Sequence, residues 1–421
     1  MRLEEFVNYF DYKYKQPTDG RPFSVQTELA RCPWNPEHQL LSIALQGRDM
    51  ETGQLPPSNF VFLVDVSGSM NEENKLPLVK SSLNMLADYL RPQDRVAIVV
   101  YAGAAGLVLP STPGNQKEKI RTAIDALEAG GSTAGAAGIN LAYFAARKNF
   151  IRGGNNRVVL CTDGDFNVGV SSDADLVKMI ERERQTGIYL SVLGFGTGNY
   201  QDGKMQQLAD KGNGNHSYID QLSEAKKVLI NEFGGTLFTI AKDVKIQLDF
   251  NKEKVAAYRL IGYENRLLNK EDFDDDTKDA GELGAGHRVT ALYEIVPAGP
   301  IPMVDQNGHL KYQESKSTAN STDGDLLTLK LRYKKPTANA ASELIQTTVV
   351  NTPSETMSEN LTLAAAAASF GMVLRNSTYK GNATLQSTLQ MAQTAAKIDP
   401  NGYRTEFCRL IKLAQGFGKL N

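Results

Sequence analysis

The residues best suited to chemistry cluster in one short segment. Asp65-Val66-Ser67-Gly68-Ser69 sets a carboxylate and two hydroxyls at alternate positions, so all three can turn toward one point. Hard oxygen donors of this kind suit Mg2+, Ca2+ or Mn2+ rather than a soft metal. Two other segments carry similar donors: Gly130-Gly131-Ser132-Thr133 offers a further hydroxyl, and Thr162-Asp163-Gly164-Asp165 offers carboxylates. The plainer reading of Ser67-Gly68-Ser69 is a turn followed by a helix cap. Rival chemistries lack their residues. The histidines His38, His216, His287 and His309 share no H-x-x-x-H spacing, which leaves a zinc hydrolase without ligands. Ser67 follows Asp65 at the place where a nucleophile elbow has Gly. A phosphatase-like Asp at the end of a first strand needs a second Asp two residues on as acid and base, and Ser67 stands there. Gly194-x-Gly196-x-Gly198 has the wrong spacing for a dinucleotide loop. A binding protein rather than an enzyme is expected.

The elements that must position these donors are legible. Phe60–Val64, Val96–Tyr101, Val158–Cys161 and Ile188–Leu193 are short, nearly uninterrupted apolar runs, as strands buried on both faces should be. Asp65 and Asp163 then fall just beyond the carboxyl ends of two such strands, the edge at which open α/β sheets bind ligands. Between the strands, Val79, Leu83, Leu86 and Leu90 mark one helical face, and Leu176, Met179 and Ile180 mark another after a cap at Ser172 or Asp173. Helices also fit Lys117–Leu127, Ala136–Phe150 and Ser223–Phe233. The expected fold class is therefore α/β, a doubly wound, mostly parallel sheet over residues 58–238.

On either side the pattern changes to alternation: Val25, Thr27, Leu29 and Leu41, Ile43, Leu45 upstream, Val244, Ile246, Leu248 and Leu327, Leu329, Leu331 downstream. Because an isolated strand pair is marginal, the N-terminal segment 1–57 is expected to lend strands to an antiparallel, β-sandwich-like domain at 239–350, with the α/β block inserted between. Residues 351–421 read as a C-terminal helical region, the apolar stretch Leu361–Leu374 being a buried helix too short to span a membrane.

Composition bounds the partners. With 421 residues, Lys+Arg 46 and Asp+Glu 48, the net charge is −2 and no basic field gathers nucleic acid. Cys32, Cys161 and Cys408 are too few for a disulfide framework or zinc site; Cys161 reads as core, and Cys32 and Cys408 could pair in an oxidising compartment. Met1-Arg2-Leu3-Glu4-Glu5 lacks the design of a secretory signal, which leaves a cytoplasmic protein or a chain whose export signal is missing.

Asp65-x-Ser67-x-Ser69, then Thr133, then Asp163, resembles the metal-ion-dependent adhesion site of von Willebrand factor type A domains, with all five positions filled. The resemblance covers about residues 58–238 and implies a bound divalent cation, most simply Mg2+, and recognition of protein ligands. It further implies that Ser67 and Ser69 bind the ion directly, Thr133 directly in the ligand-competent state, and Asp65 and Asp163 mainly through waters. An ion so held keeps much of its charge and an open position, which an exposed Asp or Glu of a protein partner can fill. Outside that block, Glu4–Tyr12, Cys32-Pro33-Trp34-Asn35-Pro36, Leu260–Arg266 and Asp279–His287 resemble a bacterial envelope family with an embedded type A domain and an uncharacterised C-terminal domain. Members often continue upstream with an export or lipoprotein signal, which implies a periplasmic or lipid-anchored location.

A second reading is a structural or assembly component of the envelope whose metal site is unused or capped by the protein's own acid, such as the Asp272–Asp279 loop. That loop lacks EF-hand order and reads as solvated. Trp34, between Pro33 and Pro36, reads as a packed turn anchor.

Overall fold

The computed structural model describes residues 2–418 apart from 52, 54, 103–104, 132–134, 165, 167–172, 198–199, 233–237, 265–271, 276–279, 299–323, 337–340 and 351. The chain forms two compact units, one from Met1–Asp49 with Thr239–Asn421 and one from Met50–Phe238. The first begins with helix α1 (Leu3–Asn8) and strands β1 (Phe23–Arg31) and β2 (Gln39–Gly47), which pair antiparallel.

The second unit runs β3 (Ser58–Asp65), α2 (Leu76–Tyr89), β4 (Arg95–Tyr101), β5 (Ala105–Pro113), α3 (Lys117–Asp125), α4 (Gly135–Lys148) and β6 (Asn155–Thr162). It continues with α5 (Asp173–Gln185), β7 (Ile188–Phe195), α6 (Asp202–Lys211), β8 (His216–Ile219) and α7 (Leu222–Lys226), the last passing into a π-helical turn over Lys227–Glu232. Its sheet has the order β5-β4-β3-β6-β7-β8. All pairings are parallel except β4 with β5. Every residue of β3 is buried because helices cover both faces. Phe60, Phe62 and Val64 pack with Val79 and Leu83 of α2 and Ile120 of α3, whereas Val61 and Leu63 pack with Ile139 of α4, Ile180 of α5 and Leu208 of α6. Each such side chain contributes roughly 1.5–3 kcal/mol on burial, so β3 is firmly placed. The chain leaves β3 for β4 on one side and later returns to β6 on the other. The carboxyl ends of β3 and β6 therefore form the topological switch point of the sheet, the place at which sheets of this class bind ligands.

The first unit resumes with β9 (Thr239–Phe250), β10 (Val255–Ile261), β11 (Gly281–Gly284), β12 (Arg288–Pro297), β13 (Asp325–Lys334) and β14 (Ser342–Val350). Helices α8 (Glu359–Leu374), α9 (Leu385–Ala395) and α10 (Tyr403–Gly416) follow. Two antiparallel sheets form, β1-β2-β12-β10 and β11-β9-β13-β14. The upstream strands do join the downstream ones, since β2 pairs with β12 in the register Ile43↔Ala291. Leu41, Ile43 and Leu45 face Leu329, Leu331 and Tyr333 in the core between the sheets, where the Phe23 and Tyr333 rings meet at 4.9 Å. The opposite face of the first sheet, with Leu40 and Leu292, packs against α1 and the helices. Helix α8 is buried from Leu361 to Val373, Thr362 and Ser369 included, as its predominantly apolar run predicts. Among the described residues no helix is long and apolar enough to cross a membrane.

Three smaller expectations meet definite outcomes here. Cys32, Cys161 and Cys408 are all buried and free, so the pairing of Cys32 with Cys408 does not occur. Trp34 is buried, and its indole donates to Glu294 at 3.1 Å, the anchoring its flanking prolines suggest. In the acidic loop, the Lys245 ammonium donates to the carbonyls of Asp272 and Asp275, and Asp274 pairs with Arg332 at 3.0 Å. The loop is thus tied to β9 and β13 by these two contacts; Asp276–Asp279 lie outside the described residues.

Candidate metal centre

Asp65 is the last residue of β3 and fully buried. The strand's ladder continues one step beyond it, Val66 N donating to Tyr101 O at 3.0 Å. The chain then turns: Ser67 N bonds back to Asp65 Oδ1 at 2.9 Å, and a single 3-10 turn, Gly68–Asn71, follows. Met70 is fully buried and holds that turn in the core. The result is that the Ser67 and Ser69 hydroxyls stand 3.0 Å apart, with Ser67 buried and Ser69 exposed. One donor is therefore locked in the fold and one faces outward.

Two further loops arrive at the same place. Gly130 N donates to Val66 O at 2.7 Å and Gly68 N to Gly131 O at 3.2 Å, which binds the Gly130-Gly131 segment to the serine turn. Thr133, two residues on, lies outside the described residues. From the end of β6, the Thr162 hydroxyl donates to Asp65 Oδ2 at 3.4 Å, and Asp163 follows directly. Its carboxylate accepts from Lys75 Nζ at 3.2 Å, and the same ammonium donates to Ser69 O at 2.9 Å. Asp65, Ser67, Ser69 and Asp163 are thus linked through Thr162 and Lys75 into one cluster at the switch point.

The electrostatics follow from that burial. Loss of water pushes the Asp65 carboxyl above the usual carboxylate range; the hydrogen bonds from Ser67 and Tyr101 oppose the rise, and the Asp163 charge adds to it. Tyr101 donates to Asp65 Oδ2 at 2.9 Å, and burial together with the Asp65 charge pushes its phenol well up, so it remains a donor. Helix α4 reaches Tyr101 closely only because residue 138 is glycine: a Cβ there would lie 2.7 Å from the Tyr101 Cβ. Tyr101, Gly138 and Lys75 adjoin this cluster without the linear pattern disclosing it; the one signal is a polar aromatic ending an otherwise aliphatic strand.

The donor set fits a hard divalent cation. Cis oxygens in an octahedral Mg2+ shell with bonds of about 2.1 Å are roughly 3.0 Å apart, and the two serine hydroxyls already stand at 3.0 Å. Among the described residues no group of three or more His, Cys, Asp or Glu is gathered to hold a metal.

Comparison with known proteins follows the same division. The family model described as von Willebrand factor type A domain matches residues 59–232, and the one described as uncharacterized protein YfbK, C-terminal, matches residues 235–417. The uncharacterized protein YfbK of Escherichia coli is 45% identical over 427 residues, covering 99% of this chain and 73% of that protein. The uncharacterized protein sll0103 of Synechocystis is 29% identical over 188 residues, covering 44% of this chain and 43% of its own. Among solved structures, a von Willebrand factor type A protein from Catenulispora acidiphila superposes with a TM-score of 0.51 at 14% identity, covering 95% of this chain and 92% of that one, a likeness of fold. Domains of this type often mediate protein–protein interaction. With 45% identity across nearly its whole length and a type A domain followed by the matching C-terminal domain, the chain belongs to the YfbK family of bacterial von Willebrand factor type A domain proteins.

Proposed function

We propose that the chain is a non-enzymatic, divalent-cation-dependent binding module that takes an Asp or Glu side chain of a protein partner at the β3–β6 edge. The observation that carries this reading is the paired Ser67 and Ser69 hydroxyls, 3.0 Å apart, beside the buried Asp65. Ser67 and Ser69 would hold Mg2+, or Mn2+ or Ca2+, directly. Thr133 would add a third hydroxyl, with Asp65 and Asp163 acting through water. A cation there supplies positive charge with an open position for a carboxylate. The chain's own groups do the positioning: Ser67 N and Tyr101 fix the Asp65 carboxylate, Met70 fixes the serine turn, and the Gly130-Gly131 contacts fix the loop that leads to Thr133. Action in the bacterial envelope is part of the reading through the family resemblance, and fractionation of cells carrying the full-length protein tests it.

The test is calorimetry and thermal melting with Mg2+, Mn2+ and Ca2+, comparing wild type with D65A and with the S67A/S69A double variant. A ligand that binds only the native state at a hundred times its Kd raises stability by about 2.7 kcal/mol. Wild type should melt higher with metal and both variants should not; metal-dependent retention on an acidic-peptide resin should follow the same pattern. A wild type indifferent to every ion removes the metal-dependent mechanism.

A further inference from the structure

The Lys75 side chain is only 9% exposed and the Asp163 side chain 8%, yet neither belongs to the apolar core. Lys75 immediately precedes α2, and its ammonium donates to Ser69 O at 2.9 Å and to Asp163 Oδ2 at 3.2 Å. Glu72 stands at 3.7 Å and is exposed, so it adds little. The path of the lysine stem is shaped for it. Gly196 has φ +77°, and a Cβ there would meet Lys75 Cε at 2.5 Å and Cγ at 2.6 Å. A glycine in the left-handed region thus clears the space along which the four-carbon stem reaches the site. One cation accordingly ties the turn that carries both serine hydroxyls to the carboxylate beyond β6.

We propose that Lys75 is the site's resident counter-cation: it holds Asp163 while no divalent ion is bound and sets the affinity with which one enters. This rests on the metal reading above. The physical case is charge balance. Two carboxylates drawn out of water at one sheet edge need a compensating charge or one of them neutralises. The lysine supplies that charge in the metal-free protein. A dication entering beside Ser67 and Ser69 then meets a like charge a few ångströms away, which raises its cost while leaving the carboxylates orderly in its absence. The lysine thereby trades affinity for a site that stays formed without metal and releases its ion readily.

The experiment uses the full chain and its K75M and K75Q variants. Methionine keeps an apolar stem along Gly196 without charge, and glutamine keeps a donor for Ser69 O without charge; if one variant fails to fold, the other carries the test. Magnesium and manganese affinities are measured by calorimetry and melting temperatures are measured in chelator. The expected result is binding about tenfold tighter or more in both variants, together with a lower melting temperature in chelator that recovers on saturation with metal. In chelator, a double-mutant cycle should also show D163N costing less in the K75M background than in wild type. If wild type binds metal and both variants bind no more tightly, the counter-cation role is overturned while the metal reading stands. If wild type is silent but K75M binds, and S67A/S69A abolishes that binding, the lysine is the ion's competitor and the proposal holds in its strongest form. If no form binds, the metal reading falls and the role of Lys75 in affinity falls with it.

Discussion

At the carboxyl edge of the parallel sheet, Asp65 and Asp163 share a place with an exposed serine and the Lys75 ammonium, whereas in the sandwich unit both carboxylate oxygens of Glu294 meet donors. Its Oε1 takes the His38 imidazole at 2.6 Å, and its Oε2 takes the Trp34 indole and the Arg259 guanidinium. Arg259 in turn lies 4.5 Å from the Tyr379 ring centre and touches the Met372 sulfur at 3.8 Å. That network joins the Trp34 turn, two strands, α8 and the segment after α8, and it engages both oxygens of the Glu294 carboxylate. The serine turn does the reverse, holding its acid in the fold and presenting a hydroxyl to solvent. A saturated buried cluster fastens layers together; one left open on a single side is where a ligand can compete.

The sharpest way to break that contrast is E294A. Removing one partner of a buried ion pair leaves the others unsatisfied, so a loss of about 3–5 kcal/mol in urea unfolding is expected, far more than at any exposed residue of the serine turn. A loss below 1 kcal/mol would mean the network is not a fastening at all. Acid should act in the same direction. Burial opposes ionisation of Glu294, but the bonds from His38, Arg259 and Trp34 outweigh it and hold the carboxyl below the usual range. A depressed folded-state value means stability that is present above the unfolded glutamate pKa of about 4.3 and is lost as pH falls through the folded value. Wild type should therefore lose stability more steeply than E294Q below that pH, and equal slopes in acid titrations followed by circular dichroism would remove Glu294 as the cause.

A glycine gives the next, smaller effect. Gly381 has φ +51°, and a Cβ there would lie 2.3 Å from the Trp34 carbonyl, which also accepts from Asn382 N at 2.8 Å. G381A should cost about 1–3 kcal/mol by straining this backbone and should redden the Trp34 fluorescence, since the indole is the chain's one tryptophan. An unchanged emission maximum with unchanged stability would show that the turn is not held from the helical side.

How far this organisation can be read in advance depends on what each residue is buried against. Strands β3 and β6 announce themselves because helices cover both faces and their runs stay apolar. Strand β5 carries Leu107 and Val108 exposed at the sheet edge and leaves no such mark. In β10 and β12, Arg259 and Glu294 interrupt the alternation, and only their pairing across the sheet explains them. Helix α1 has six residues, too short to stand on propensity; it packs on α8 at Gly371, where a Cβ would meet Leu3 at 2.3 Å. The site divides similarly. Asp65, Ser67, Ser69 and Asp163 are singled out by the chain alone because their side-chain types suit a hard cation, as is Thr133, which lies outside the described residues. Tyr101, Gly138 and Lys75 are placed there by neighbours distant in the chain, Asp65 for Tyr101, Tyr101 for Gly138 and Asp163 for Lys75.

The smallest expected change is also the one that separates the two clusters most cleanly. In S69A the lost hydroxyl is exposed and its partner, Ser67, stands beside it on the same turn. Surface substitutions of this kind shift stability by at most about 0.5 kcal/mol, so in chelator S69A should unfold with wild type. The backbone contacts that shape the turn, Ser67 N to Asp65 and Lys75 to Ser69 O, do not use the Ser69 side chain and should survive. With Mg2+ present, wild type should gain stability and S69A should not, so the two diverge only when the ion is added. A cluster built as a fastening would show the opposite order, a large loss in chelator and none specific to metal. Unfolding curves of S69A and wild type, each with chelator and with saturating Mg2+, decide which kind of cluster the serine turn is.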